Sequence, residues 1–286
     1  MLKILKRIGY AFLALILLLA GTLVWNAKEQ EKQQVLMIKN DEDLLGRRLE
    51  IPRDGEKSVR VNFYQIDDGK SHPLVINVHG GAFIAGDADP LDSQSDRISK
   101  EWGSQVATIN YTLAKDGYDI AYGTQELVDT VRYFAAHHQE FGINPDQIFL
   151  VGYSAGGYHT MAAALQLQKQ GIQIAGQVIA YGFIKEVNET YLSWQEAARK
   201  KVAPALFILA DNDPISKGSL IYQKSLAQNG VATKVVVYPK ALHGFIEENN
   251  PEYDVLKTTS KSPAQEVLAR QAEREIGAWI QALLKN

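Results

Sequence analysis

Four short stretches of this chain carry residue types that together can do acyl-transfer chemistry. The first is GYSAGG at residues 152–157, a serine set between glycines directly after the apolar run IFLV at 148–151. G-x-S-x-G between a strand and a helix is the pattern of a nucleophile elbow, a bend whose glycines remove Cβ atoms that would clash and whose serine stands above the end of a sheet. A helix opening at Ala155 would bring its positive end near the hydroxyl and favour negative charge there. A serine hydroxyl is a weak nucleophile, so it needs a base, and the base needs an acid to orient it. The stretch ADNDP at 210–214 offers Asp211 and Asp213, and LHGF at 242–245 offers His243. A Gly-Gly pair in HGGAF at 79–83 allows a tight turn with exposed N–H groups, the donors a developing oxyanion requires, although Gly-Gly also makes plain turns.

All of these stretches share one kind of address. Six short apolar runs, LVINVH (74–79), QVATINY (105–111), QIFLVG (147–152), GQVIAYG (176–182), ALFILAD (205–211) and KVVVYP (234–239), are continuous rather than alternating. Such runs predict strands covered on both faces, hence a parallel sheet. Helical spacing appears between and after them. In 124–141, Thr124 stands as N-cap with Glu126 in the first turn, and Leu127, Val131, Phe134 and Phe141 fall on one face; in 264–284 the apolar stripe is Leu268, Ala272, Ile276, Trp279 and Leu283. Before them, 47–51 and 58–66 alternate apolar with polar residues around Pro52, Asp54 and Gly55, the signature of an antiparallel hairpin at a sheet edge. Strands alternating with helices predict a doubly wound α/β sheet, in which ligands bind at the carboxyl ends of the strands. Ser154, the two aspartates and His243 all follow such ends.

On the segments HGGAF (79–83), NPDQIFLVGYSAGG (144–157), ADNDP (210–214) and LHGF (242–245), residues 46–286 resemble the α/β-hydrolase superfamily. Within it they look like the esterase and lipase branch related to hormone-sensitive lipase and to bacterial feruloyl or acetyl esterases. The resemblance implies a mostly parallel twisted sheet with helices on both faces and triad members in the chain order Ser, Asp, His. By that similarity Ser154 is the nucleophile, His243 the base and Asp213 the acid, since Asp213 directly precedes Pro214 as the family's acid does; Asp211 is the alternative, placed to cap or brace the loop. The N–H groups of Gly81, Ala82 and Ala155 would line the oxyanion hole. Two departures stand out: the common HGGG is HGGA here, which changes no backbone donor, and the frequent acidic residue before the nucleophile is Tyr153. The implied reaction is hydrolysis of carboxylic esters without a cofactor. An amidase or peptidase would use the same triad, whereas a non-catalytic membrane-tethered scaffold would predict a broken one.

Among aromatic residues near strand ends, Phe83, Tyr153 and Phe183 are candidates to line a substrate pocket. The polar stretch 183–203 makes at most a small cap, which with the limited length favours short acyl groups. His79 is expected to fix the 79–83 loop through hydrogen bonds, His159 to pack past the elbow or shape the acyl pocket, and His137 and His138 to lie at the surface. No metal-ligand spacing emerges from these positions.

Composition bounds the rest. The 286 residues suffice for one large α/β domain. A net charge of −3 with interspersed signs argues against a nucleic-acid partner, and the absence of cysteine excludes disulfides, thiolate metal sites and cysteine nucleophiles. Residues 8–25 contain no charge, follow Lys3, Lys6 and Arg7, and are about long enough to span a bilayer with the N-terminus in the cytoplasm. A cleaved signal segment, leaving a secreted domain, is the alternative. The expected layout is a membrane anchor or signal over 1–27, a tether over 28–45 and the catalytic domain over 46–286. An outward-facing domain would meet small ester substrates, with acylated envelope glycans the natural class.

Overall fold

The computed structural model describes residues 37–115, 117–184, 202–255 and 258–285, and Lys39–Asn286 form one compact unit. The apolar run at 8–25, most of the tether and residues 185–201 of the expected cap lie outside the described residues. Among the described residues no helix is long and apolar enough to cross a membrane.

Eight strands form a single sheet: β1 (Arg47–Ile51), β2 (Val59–Tyr64), β3 (His72–Val78), β4 (Gln105–Asn110), β5 (Ile143–Tyr153), β6 (Gly176–Ala180), β7 (Ala205–Ala210) and β8 (Thr233–Tyr238). Their spatial order is β1-β2-β4-β3-β5-β6-β7-β8. Only the β1–β2 and β2–β4 pairs are antiparallel, so the hairpin sits at one edge as its alternation predicts and the other strands run parallel. The described helices are α1 (Asp92–Trp102), α2 (Ile120–Ala136), α3 (Ala155–Lys169), α4 (Leu220–Gln228) and α5 (Pro263–Leu283).

Continuous apolar strands are used on both faces. On β7, Leu206, Ile208 and Ala210 pack in one cluster with Ile98 and Trp102 of α1 and Ala272, Ile276 and Ile280 of α5. Ala205, Phe207 and Leu209, between them, pack with Met161 and Leu165 of α3 and Tyr222 and Leu226 of α4. Leu127, Val131 and Phe134 of α2 meet Ala163 and Leu167 of α3 beneath Leu74, Ile76, Ile148 and Leu150. Residues of the central strands therefore lose water whichever way they point, the condition that selects a parallel sheet, whereas β8, whose apolar run predicts cover on both faces, lies at the sheet edge with Val235 and Val237 exposed.

The helix expected over 124–141 begins and ends earlier. Its N-cap is Asp119, whose side chain accepts from the Ala121 N–H, and it closes at Ala136. Thr124 instead faces inward and bonds the ring of His159 at 2.9 Å. Phe141 still joins the core, stacking edge-on to Phe134 from beyond the helix. α5, expected over 264–284, runs one residue earlier at each end, with the Ser262 hydroxyl accepting from the Gln265 N–H and Pro263 in the first turn. The tether ends sooner than residue 45. Lys39 already donates its N–H to Asp89 and its ammonium to Asp92 and Glu252, and Arg48 pairs with Asp89.

Where β5 meets α3, the backbone approach is close. A Cβ at Gly156 would run into the carbonyl oxygens of Val78 and His79, and one at Gly152 into the carbonyl of Gly156 and the Thr160 hydroxyl. These contacts let α3 start directly under the ends of β3 and β5. Gly156→Ala is therefore expected to cost about 1–3 kcal/mol through overpacking, read as a lowered urea midpoint with an unchanged slope.

Candidate active site

β5 delivers Ser154 at its carboxyl end with φ 49° and ψ −113°, a left-handed backbone that a residue with a side chain adopts only when its surroundings enforce it. Those surroundings are explicit. The Ser154 N–H donates to the Ala180 carbonyl at 3.0 Å, and the Ser154 carbonyl accepts from Gly157 and Phe183, each at 3.0 Å. The bend is thus tied to the end of β6 and to the first turn of α3, leaving the hydroxyl at the sheet's rim.

His243 lies beyond β8, with Nε2 2.8 Å from Ser154 Oγ and Nδ1 2.7 Å from Asp213 Oδ2. Asp213 is almost wholly buried and accepts from the N–H groups of Ile215 and Ser216 at 2.9 and 3.2 Å, which fix its carboxylate after β7. Because Asp213 can only accept when ionised, Nδ1 carries the imidazole proton and Nε2 is left to accept from the serine hydroxyl. Asp211 is in another situation: its side chain is 57% exposed and its cationic neighbour is Lys217 at 3.9 Å. The geometry brings Asp213, not Asp211, to His243.

The imidazole bonded to the Ser154 hydroxyl is that of His243, while His79 and His159 are bonded to the Gly80 carbonyl and to Thr124. His79 is buried, and burial pushes its ring below the ordinary range; His159 is pushed down to about 3, by burial first and then by His79. Both remain neutral and structural. His79 Nδ1 meets the Gly80 carbonyl at 2.7 Å, and its ring stacks on Tyr111 at 4.2 Å.

The 79–83 loop is held from several sides. Tyr111 donates to the carbonyls of His79 and Gly80, the Ala114 N–H donates to the Phe83 carbonyl at 2.7 Å, and the N–H groups of Ile84 and Ala85 turn back to Gly81. Ala82 and Phe83 both take positive φ, 52° and 70°, so the turn is strained where it must be tight. With the Gly80 carbonyl pinned against His79 and Tyr111, the N–H of Gly81, anti to it across a trans peptide, points the other way. The N–H groups of Gly81, Ala82 and Ala155 have no acceptor among the described residues, and Ala155 opens α3. Free N–H donors at a helix start beside a serine are suited to stabilise an oxyanion.

Phe83 and Phe183 come together as one wall, their rings 5.8 Å apart and edge-on, and Phe83 also packs edge-on against Tyr158 at 5.4 Å. Tyr153, expected to line the pocket, does not. It is fully buried on the opposite side of the strand, and Gln94 donates to its hydroxyl at 3.3 Å. The alternation of β5 is the reason: with Ser154 turned to the rim, its neighbour must face the core. Tyr158 escapes notice in the sequence because it lies one helical turn past the elbow, amid small residues of α3. Among the described residues no group of three or more His, Cys, Asp or Glu side chains is set to hold a metal ion.

Comparison with known proteins agrees with this architecture. Residues 75–199 match a family described as having the alpha/beta hydrolase fold. The chain is 24% identical over 234 residues to an ethyl acetate hydrolase of Pseudomonas putida, covering 68% of this chain and 73% of that protein. It is 25% identical over 215 residues to an acetyl esterase of Salmonella enteritidis, covering 62% of this chain and 66% of the relative, just under two thirds of its length. Among solved structures, an esterase of Pyrobaculum calidifontis superposes with a TM-score of 0.71 at 22% identity, over 91% of this chain and 93% of that one. A bacterial heroin esterase gives 0.71 at 20% identity, over 91% of each chain.

The hydrogen-bonded chain predicts how the serine reacts with a fluorophosphonate probe, which reads nucleophilicity without assuming a substrate. Labelling should vanish in Ser154→Ala and slow by roughly 10⁴-fold in Asp213→Asn, where the wrong imidazole tautomer is favoured. Asp211→Asn should label like the unaltered protein.

Proposed function

We propose that this chain is an α/β-hydrolase of the esterase and lipase branch, a serine hydrolase that cleaves carboxylic esters through an acyl-enzyme. The observation that carries the reading is the hydrogen-bonded series from Asp213 through His243 to Ser154, at 2.7 and 2.8 Å, together with the N–H groups of Gly81, Ala82 and Ala155, which have no acceptor among the described residues. His243 Nε2 takes the hydroxyl proton as Ser154 Oγ attacks the ester carbonyl. The carbonyl oxygen becomes an oxyanion that accepts from the N–H groups of Gly81, Ala82 and Ala155, and Asp213 stabilises the imidazolium. Collapse of this intermediate breaks the ester C–O bond, and the imidazolium returns its proton to the leaving alcohol. Water, deprotonated by the same nitrogen, then attacks the acyl-serine and releases the acid.

Short acyl groups fit best. The Phe183 N–H bonds the Ser154 carbonyl and its ring meets Phe83 edge-on, which puts an aromatic pair next to the elbow and supports a shallow acyl site. Two relatives bear names that specify acetate esters. On p-nitrophenyl esters, kcat/KM should peak at acetyl to butyryl and fall by roughly 100-fold or more for dodecanoyl, as expected when a pocket lacks room for added methylenes. Equal or better turnover of the long chain would refute the preference.

The uncharged run at 8–25, preceded by Lys3, Lys6 and Arg7, supports a catalytic domain tethered outside the cytoplasmic membrane. The full-length protein is expected to sediment with membranes and to resist extraction by alkaline carbonate; release into the wash would remove the anchor from this reading.

A further inference from the structure

One buried acid beneath the nucleophile has no part in the relay. Glu247 lies four residues beyond His243 in a short 3-10 turn (Glu247–Asn249) and is only 5% exposed. Its Oε1 accepts from the Gly80 N–H at 2.7 Å. The carboxyl lies against Gly80 so closely that a Cβ there would fall 2.9 Å from Glu247 Oε2, and the same Cβ would be 3.2 Å from the Cβ of Ser154. Gly80 thus forms the thin partition between the carboxyl and the nucleophile. It also precedes Gly81, whose N–H is the first of the proposed oxyanion donors. Gly80 is gripped at both ends of its backbone: its N–H by Glu247, its carbonyl by His79 at 2.7 Å and Tyr111 at 3.4 Å. The carbonyl contacts orient the Gly80–Gly81 peptide that presents the Gly81 N–H, and the Glu247 contact fixes the peptide before it, so that the two together hold Gly80 in place.

We infer that Glu247 is a positioning residue, which holds the oxyanion loop through Gly80 and determines the charge that stands behind the nucleophile. The inference rests on the oxyanion role proposed above for the 80–82 loop. Burial, set partly against the Gly80 hydrogen bond and reinforced by the Glu248 carboxyl, pushes the Glu247 acid up to about 8. Near neutral pH it is therefore an uncharged acid that still accepts from Gly80. Above that range it becomes a carboxylate on the far side of Gly80 from the growing oxyanion, and like charges at short range in a water-poor site oppose each other strongly.

The groups around it do not relieve that charge. Tyr111 after β4, Tyr153 at the end of β5, Tyr181 after β6 and Tyr253 in the 251–255 turn are phenols raised by burial and stay neutral. The Tyr181 hydroxyl accepts from the Glu247 backbone N–H at 3.3 Å. Glu248 in the same turn is itself raised by burial, and His79 on the loop is held neutral by burial. His243, at the start of the turn, is occupied by Asp213 and Ser154.

The test is kcat and KM for p-nitrophenyl acetate from pH 5.5 to 9.5 on the full chain, for the unaltered protein, Glu247→Gln, Glu247→Leu and Ser154→Ala. The expected result for the unaltered protein is a kcat that falls as pH rises through about 8. Glu247→Leu, which leaves Gly80 without its acceptor, should lower kcat by roughly 100-fold, the scale for a lost oxyanion donor, with KM within about threefold. Glu247→Gln keeps a carbonyl acceptor and cannot ionise, so it should recover most of the lost kcat and abolish the alkaline fall. A folded Glu247→Leu with kcat within twofold of the unaltered protein overturns the inference, as does an alkaline fall that persists in Glu247→Gln. Should the leucine variant not fold, the glutamine profile decides alone. Retained turnover in Ser154→Ala is a different failure: it removes the nucleophile itself, and with it the oxyanion role from which this inference proceeds.

Discussion

The backbone of Ser154 is the constraint from which the rest of the site follows. A left-handed serine at the end of a strand costs about 1–3 kcal/mol, so the surrounding structure must over-determine it. Here it does so with three backbone hydrogen bonds, to Ala180, Gly157 and Phe183, and with glycines that allow α3 to start directly beneath the strand ends. Relaxing that bend would swing the hydroxyl away from His243 and move Ala155, whose N–H lies next along the chain. Nucleophile and donor are therefore placed by one local conformation, and the sheet that anchors β5 between β3 and β6 keeps it from unwinding.

The remaining parts come from other strand ends and are joined by polar groups buried between them. The 79–83 loop follows β3, Tyr111 follows β4, Asp213 follows β7, and His243 and Glu247 follow β8. Four loops from distant parts of the sequence thus meet within a few ångströms. Hydrogen bonds in such a dry interior are strong when made and costly when broken, so the arrangement is rigid. Rigidity matters because preorganised donors spend no free energy on reorientation as charge develops.

A second polar network lies at the rim. Asp89 is buried, which alone would push its carboxyl up, yet hydrogen bonds from Asn62, the Lys39 N–H and Arg48, with the charge of Arg60, outweigh burial and hold it below the usual carboxylate range. Asp92 accepts from Lys39, the Leu45 N–H and Tyr64, and Glu252 accepts from Lys39 and Ser93. Lys39 thereby links the segment leading out of the oxyanion loop to the segment following His243. The chain from Lys39 onward is consequently part of the domain, although its polar composition reads as a tether.

Much of this was determined by sequence alone. Eight strands, their parallel sense and the edge hairpin follow from apolar runs that either continue or alternate, because that pattern directly records which faces lose water. The motifs carrying Ser154, Asp213 and His243 stand out for a related reason, since each couples a strand end to residue types whose chemistry is specific. What the sequence did not announce depends on partners far away in the chain. α1 has only Ile98 and Trp102 as large apolar residues, and it buries Ser95 against Thr108 and Gln94 against Glu273, contacts with no periodic signature. Thr124 looks like a helix cap until His159 supplies its partner. Tyr153 looks like a pocket residue until the strand's alternation turns it inward. Asp211 and Asp213 are two residues apart and chemically alike; only the turn that lends Asp213 two N–H donors and brings it to the His243 ring separates them. Glu247 had no motif at all, and only tertiary structure put its carboxyl against Gly80. Local pattern reports burial and turn chemistry, whereas the charge state and aim of a buried polar group are decided by neighbours that folding brings from elsewhere.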